Sequence, residues 1–423
     1  MYLLNLGYQW SNNELADGVI INASGIHIQQ ANRREQIENA KWKLFDPQFY
    51  LKSLDLEQCK KTCERLSTYP WFGGSAITFD SGEYTPTAWF QEHKENVQWN
   101  NLIPSEESEI MDLIRDCLAF QESIGVTHLI APLPIIENPE DEFALQLKWI
   151  DVVERLQDEF EKPILVTLAF LDNLFFYEPP LTNKLFQTML DNLAVRTELD
   201  GVYVVPIQTN DSSTKVDDKY VVESILHICN ILSQNEKVVV TNYIDSLGFA
   251  CLGAGATAFG SGYSNKDKRM CFNDFIDASG GRSYPRFYSH NLISDLYSNR
   301  DLSKIRDVRL LRLIKEDITN ISKDLFNELI SGGSANNVPN WRESLNNITA
   351  SKQHRILCFK EKTNELLEIE GIEEKESYIL GWLQNAEAFR LLLDSKLQDN
   401  PLSDDSRHIS LWLGAFESYL NNR

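Results

Sequence analysis

The chain has 423 residues, with 40 Lys and Arg against 62 Asp and Glu, 43% hydrophobic residues and seven Cys. That length exceeds one small core and points to a large domain of roughly 250–330 residues plus an appended piece, and the ordinary apolar content excludes wholesale disorder. A net charge of −22 argues against a surface built for sequence-blind nucleic-acid binding, while leaving room for a local basic groove.

In chain order, the opening MYLLNLGYQWSNNELADG lacks the basic and long apolar parts of a signal peptide. The first strand is expected at 42–45, before Asp46. Cys59 and Cys63 follow in a segment of helical spacing. With no second Cys/His pair at a useful distance, they read as small apolar residues on a buried helix face rather than as metal ligands. A second strand is expected at 76–79, before Asp80, inside an irregular stretch (69–104) rich in Pro and Trp that suits a long loop. Further strands are expected at 126–130, 164–169, 202–205, 238–241, 257–259 and 286–289. They alternate with amphipathic helices at 107–124, 142–160, 183–196 and 218–233. Near-continuous apolar strands between such helices imply parallel strands covered by helices, and eight units imply a (β/α)8 TIM-type barrel. A doubly wound open sheet is the alternative, but its Gly-rich phosphate turn is absent after the first strand, where the chain reads FDPQFYL. A long helix is expected over 302–330, closed by Gly332-Gly333-Ser334. Residues 1–333 are therefore assigned to a barrel with an N-terminal extension, and 334–423 to a mostly α-helical extension. In the latter, 374–397 and 408–420 are amphipathic and 355–359 suits a short strand. No run of eighteen apolar residues occurs, so no membrane span is expected. Scattered Cys without a disulfide framework point to a cytoplasmic setting, and no motif calls for a cofactor.

Asp80 ends its expected strand on the side where barrels place catalytic groups. Ser81-Gly82 turns the chain and leaves the carboxylate in the mouth, with Glu83 beside it. Asp-Ser-Gly suits an Asx-turn equally well. Acid/base work at such a mouth commonly takes a second carboxylate, and Asp46 and Asp245 end strands facing the same way. Asp245 reads more readily as a helix N-cap, and Asp46-Pro47 equally as a capped helix start. Gly260 and Gly262 allow a phosphate or base close to the backbone, or else tight helix packing. Lys266 and Arg269 follow at once. From 266 to 315 there are eleven Lys/Arg against six Asp/Glu, a local +5 in an acidic chain. Within it Arg306, Arg309, Arg312 and Lys315 recur every third residue as a basic helical stripe, and Lys304, Arg306, Arg309 and Arg312 are the candidates to track a nucleic-acid backbone, the alternative being a solvated face. His290 ends the last expected strand.

Two stretches resemble the tRNA-guanine transglycosylase superfamily. ITFDSGEY is similar to that family's TDSGGF strand end. LGFACLGAGATAFGSGYSNKDKR, with GRSYPRFYSHNLISDLYSNRD and KIRDVRLLRLIKEDI after it, resembles the family's closing blocks. The resemblance implies a barrel that acts on a nucleobase–ribose bond. Asp80 would be the acid/base group, and Lys266, Arg269, Arg286 and His290 would hold substrate. It also marks departures: the family's nucleophilic Asp falls at Gly260, and its zinc ligands have no counterparts, so no metal is expected. An inactive recognition subunit, gripping nucleic acid and docking a partner protein through the helical tail, is the second expectation. A barrel enzyme for a phosphorylated small molecule is the third.

Overall fold

The computed structural model describes residues 1–7, 10–26, 37–55, 58–72, 103–277 and 283–423, with backbone alone at 139–141. Among these, eight parallel strands form one sheet: β1 (Tyr2–Leu6), β2 (Gly18–Asn22), β3 (Trp42–Asp46), β4 (Leu129–Ala131), β5 (Ile164–Leu171), β6 (Gly201–Ile207), β7 (Val238–Asn242) and β8 (Ala258–Ser261). The order β3-β2-β1-β8-β7-β6-β5-β4 joins the first strand to the last, with Leu3 opposite Gly260. The remaining gap is bridged where the Thr127 N–H donates to the Lys43 carbonyl at 2.8 Å and the Lys43 N–H donates to Thr127 Oγ1 at 3.0 Å. The result is a nearly closed (β/α)8 barrel, as the alternation of apolar runs and amphipathic segments predicts.

The phase of the barrel differs from expectation. Its first two strands are Tyr2–Leu6 and Gly18–Asn22, in a region that carries no helical period to mark a βα unit. The expected last strand, Arg286–Ser289, is instead β9, which pairs antiparallel with β10 (Ser294–Tyr297) in a separate hairpin. The expected strand at 76–79 lies outside the described residues.

Helices cover the sheet: α1 (Lys60–Leu66), α2 (Glu107–Ser123), α3 (Pro139–Leu156), α4 (Lys184–Ala194), α5 (Lys219–Gln234), the short α6 (Gly248–Gly253) and α7 (Asn265–Lys268). Asn183 and Asp218 cap α4 and α5 by accepting from the Phe186 N–H, and from the Tyr220 and Val221 N–H groups. Cys59 and Cys63 are buried at and in α1, and all seven Cys are free thiols.

Beyond the hairpin the expected single helix is broken. It consists of α8 (Arg300–Asp307), a 3-10 segment at Leu311–Asp317, and α9 (Lys323–Ile330). Arg309, at φ 60, stands in the left-handed region between the first two and ends the helical path. The tail forms α10 (Thr349–Leu367), α11 (Ile372–Lys396) and α12 (Arg407–Asn422). The expected strand at 355–359 lies in α10. That helix packs on the barrel: Phe359 meets the rings of Tyr2, Phe249 and Tyr288, with centroids 4.8–5.2 Å apart. The Trp412 indole N–H of α12 donates to the Val216 carbonyl at 2.7 Å. A second hydrophobic cluster, which includes Phe287, Leu302, Leu329, Trp341 and Leu393, lies under the hairpin. Among the described residues no helix is long and apolar enough to cross a membrane.

Gly260 shows how closely the barrel interior is filled. A Cβ there would lie 2.1 Å from Asn242 Oδ1 and 2.6 Å from Ile20 Cδ1. Gly260→Ala is expected to lower stability by about 1–3 kcal/mol, read as a fall in the thermal midpoint. An unchanged midpoint would show that this layer has room to spare.

Candidate active site at the barrel mouth

Residues paired in parallel strands point to the same face. The register Asn22↔Asp46 and Leu3↔Gly260↔Asn242 therefore places polar residues in one inner layer at the C-terminal ends of the strands. Asp46 lies at its centre, fully buried. Its Oδ2 accepts from the hydroxyls of Tyr50 at 2.7 Å and Tyr203 at 2.9 Å, and its Oδ1 from the Gln48 N–H at 2.9 Å. The Tyr243 hydroxyl proton lies between Asn22 Oδ1, at 2.9 Å, and Asp46 Oδ2, at 3.2 Å. Burial pushes the Asp46 carboxyl up to about 6, against the opposing pull of these donors. Tyr243 has φ 59, an uncommon conformation for a bulky residue, and it is held there by its buried partners.

The layer continues outward. Gln48 Nε2 donates to Tyr243 at 2.9 Å, and Gln48 Oε1 accepts from the Ser24 N–H at 2.7 Å. Asn242 Nδ2 donates to Tyr203, and its Oδ1 accepts from Asn5 Nδ2 at 2.8 Å. With Oδ1 turned to Tyr243, Asn22 keeps its Nδ2 without a protein acceptor among the described residues. Asn5 Oδ1 is buried without a donor.

Above β1, β2, β3 and β8 opens a cavity of about 330 Å³, lined among others by Asn5, Asn22, Gln48, Arg65, Lys266, Asp267 and Lys352. Asp267 comes from α7, just after β8. Its Oδ2 is tied to the Ser264 hydroxyl, and burial raises its carboxyl above the usual range. Gly262 supports it: a Cβ at Gly262 would sit 2.3 Å from the Asp267 Cβ. Lys266 lies over the Phe275 ring at 4.9 Å.

A second constellation lies beside the mouth. Lys215 reaches Asp245 Oδ2 at 2.8 Å, and Arg355 pairs with Asp245 Oδ1 and, at 2.9 Å, with Asp295 Oδ1. Lys268 closes the chain on Asp295 Oδ2. Asp245 thus caps no helix with its side chain, and it stands at φ 48 with its carboxylate wholly buried. Despite burial, Arg355 and Lys215 hold it below the ordinary carboxylate range. These alternating charges tie the loops after β6, β7 and β8 to the hairpin and to α10.

The sequence-derived candidates therefore separate. Asp46, Gly260, Gly262 and Lys266 belong to the mouth and its cavity. Asp80, Ser81, Gly82 and Glu83 lie outside the described residues. Arg269 is buried, paired with Asp274 at 2.8 Å and bonded to the carbonyls of Asp211 and Ser213, so it holds a loop rather than facing the cavity. Arg286 stacks on Tyr297 in the hairpin. His290 is buried and stacked on Trp382 at 4.7 Å, beside a different cavity. Lys304 donates to the Pro401 carbonyl at 2.6 Å, and Arg306 binds Asp307 and the Gly333 carbonyl. Arg309 and Arg312 are exposed beyond the helix break, so the four form no stripe on a common helix.

Asn5, Asn22, Asp267, Arg65, Lys352 and the three tyrosines escaped the sequence reading. One signal was there: YLLNL, GVIIN, WKLFD and VVVTN each carry Asn or Asp at or next to the strand end. Among the described residues no group of His, Cys, Asp and Glu is arranged to hold a metal ion. No protein-family model, curated protein or solved structure matches the chain.

Proposed function

We propose that the protein is a barrel enzyme that cleaves or exchanges the bond between a nucleobase and ribose, in the manner of the tRNA-guanine transglycosylase superfamily that its sequence resembles. The observation that carries this reading is the composition of the mouth cavity. It brings hydrogen-bonding amides from β1, β2 and the turn after β3 next to a carboxyl group raised by burial. Amides are suited to the polar edge of a base. A carboxyl whose protonated form is favoured by burial is suited to protonate a leaving base. In hydrolysis the C1′–N bond breaks and the base leaves with that proton, while the oxygen of water forms the new bond to C1′ and the proton it sheds returns to the carboxylate. Asp267 takes the acid role on this reading. Asp46, enclosed by tyrosines, sets the geometry without touching substrate.

The test is release of free base, followed by liquid chromatography, from nucleosides, mononucleotides, single-stranded DNA and tRNA. Release from at least one of these is expected, and Asp267→Asn should slow it about 10²–10⁴-fold while leaving binding intact. Absence of release or exchange from every substrate would overturn the reading in favour of a recognition protein. Full activity in Asp267→Asn would remove that residue from the chemistry.

A further inference from the structure

Three cations line the mouth cavity from three separate elements: Arg65 from α1, Lys266 from α7 and Lys352 from α10. None has a carboxylate partner at ion-pair distance among the described residues, although most of the buried cations nearby are paired. Arg65 instead donates weakly to the Ser24 carbonyl at 3.3 Å, and Lys352 lies 5.4 Å from the Tyr263 ring centroid. Lys266 is repelled by Arg65 and attracted by Asp274 and Asp267. The cavity thus sets three cations against the single carboxylate of Asp267, an excess of positive charge that favours an anionic occupant.

The neutral lining has the same polarity. Asn22 presents Nδ2 because Tyr243 engages its oxygen, and Tyr243 is fixed by Asp46. The Thr62 hydroxyl adds another donor. Against them stand Asp267, one of whose oxygens is tied to Ser264, and Asn5 Oδ1, which is buried without a donor. A wall of donors facing inward complements a ligand that only accepts.

We propose that this cavity seats a phosphate monoester, its oxygens received by Arg65, Lys266, Lys352 and the amide nitrogen of Asn22. The proposal rests on the nucleobase–ribose reading only for the rest of the ligand, which would then be a mononucleotide or a terminal phosphate. Charge-assisted hydrogen bonds to phosphate are the strong kind, and removing one is expected to weaken binding about ten-fold or more.

The test is isothermal calorimetry on the full chain, titrating inorganic phosphate, a nucleoside and its 5′-monophosphate. Inorganic phosphate should bind, the monophosphate should bind at least about ten-fold more tightly than the nucleoside, and added salt should weaken both anions. Arg65→Gln, Lys266→Gln and Lys352→Gln should each weaken the anions about ten-fold and leave the nucleoside unaffected. Lys184→Gln, on the exposed face of α4 and outside the cavity, should change nothing. Circular dichroism shows whether each variant is folded, and the wild-type titration decides the matter even where one is not. No phosphate binding by the wild-type protein overturns the proposal, as does binding indifferent to all three substitutions. Phosphate binding without base release from any substrate upholds the proposal and removes the glycosidic reading, so the two fail separately.

Discussion

Replacing Arg355 by methionine is expected to lower the free energy of unfolding by about 3–5 kcal/mol, the largest loss from any single residue of the tail. The guanidinium bonds Asp245, Asp295 and, at 3.2 Å, the Gly262 carbonyl, so it joins α10 to the loop after β7, the hairpin and the turn after β8. Methionine fills much of the space but cannot bond any of them. Each carboxylate keeps one lysine, so the loss is three charge-assisted bonds, two of them to carboxylates, rather than two isolated charges. Arg355→Lys should fall in between, because one ammonium cannot span both carboxylates. Asp245 and Asp295 have folded pKa values held below the unfolded value of 3.8. Their stabilisation is therefore complete above about pH 4 and lost as pH falls through the folded values. The gap between wild type and variant should stay constant from pH 8 to 5 and close in stronger acid. Urea unfolding at several pH values measures it, and a loss below about 1 kcal/mol would show that the tail is anchored by apolar packing alone.

The difference between what was legible and what was not follows from range. Strands β5 to β8 and the helices between them announce themselves locally, through apolar runs that switch to helical period. The first two strands do not: Tyr2–Leu6 and Gly18–Asn22 are five residues each, and a 3-10 turn rather than an amphipathic helix stands between them. Arg286–Ser289 carries the same local pattern as a barrel strand, and only its partner, Ser294–Tyr297, reveals the hairpin. At 302–330 apolar spacing persists across the break because the chain packs the same core on both sides of Arg309. In the mouth, Asp46 was identifiable as a strand-end carboxylate. Its bonds to Tyr203 and Tyr243 span 157 and 197 positions, and no spacing rule reaches that far. Arg355 is hidden for the same reason, 110 residues from Asp245. The basic run after β8 illustrates a different limit. Charge counting finds Lys266, Lys268 and Arg269 together, but Lys268 and Arg269 are buried in ion pairs and Lys266 alone lines the cavity.

Asp46→Asn is expected to reduce stability at pH 7 by about 2–4 kcal/mol and to loosen the inner layer of the mouth. The carboxylate accepts from every group around it, and an amide cannot. If its oxygen faces the tyrosines, its NH2 faces the Gln48 N–H, and the reverse orientation sets NH2 against Tyr50 and Tyr203. Either way buried donors meet. Tyr243→Phe is milder, about 1 kcal/mol, because Tyr50 and Tyr203 still satisfy the carboxylate. The pH dependence distinguishes a lost carboxyl from general damage. The folded pKa of Asp46 is about 6, above the unfolded 3.8, so the folded state binds the proton more tightly. The wild-type protein therefore gains stability from this group as pH falls through 6, about 1 kcal/mol between pH 7 and pH 5. Asp172, at about 6, and Asp317, at about 7, contribute in the same direction but are present in both proteins and cancel in the difference. The stability gap between wild type and Asp46→Asn should thus widen by that amount toward pH 5, measured by urea unfolding at matched ionic strength. A gap that narrows instead would mean that Asp46 is stabilised as an anion by its tyrosines and carries no proton near neutrality. Asn22 takes its orientation from Tyr243, so the same variant should also weaken phosphate binding, by less than the loss of Lys266 does, because it misdirects a neutral donor and leaves the cations in place.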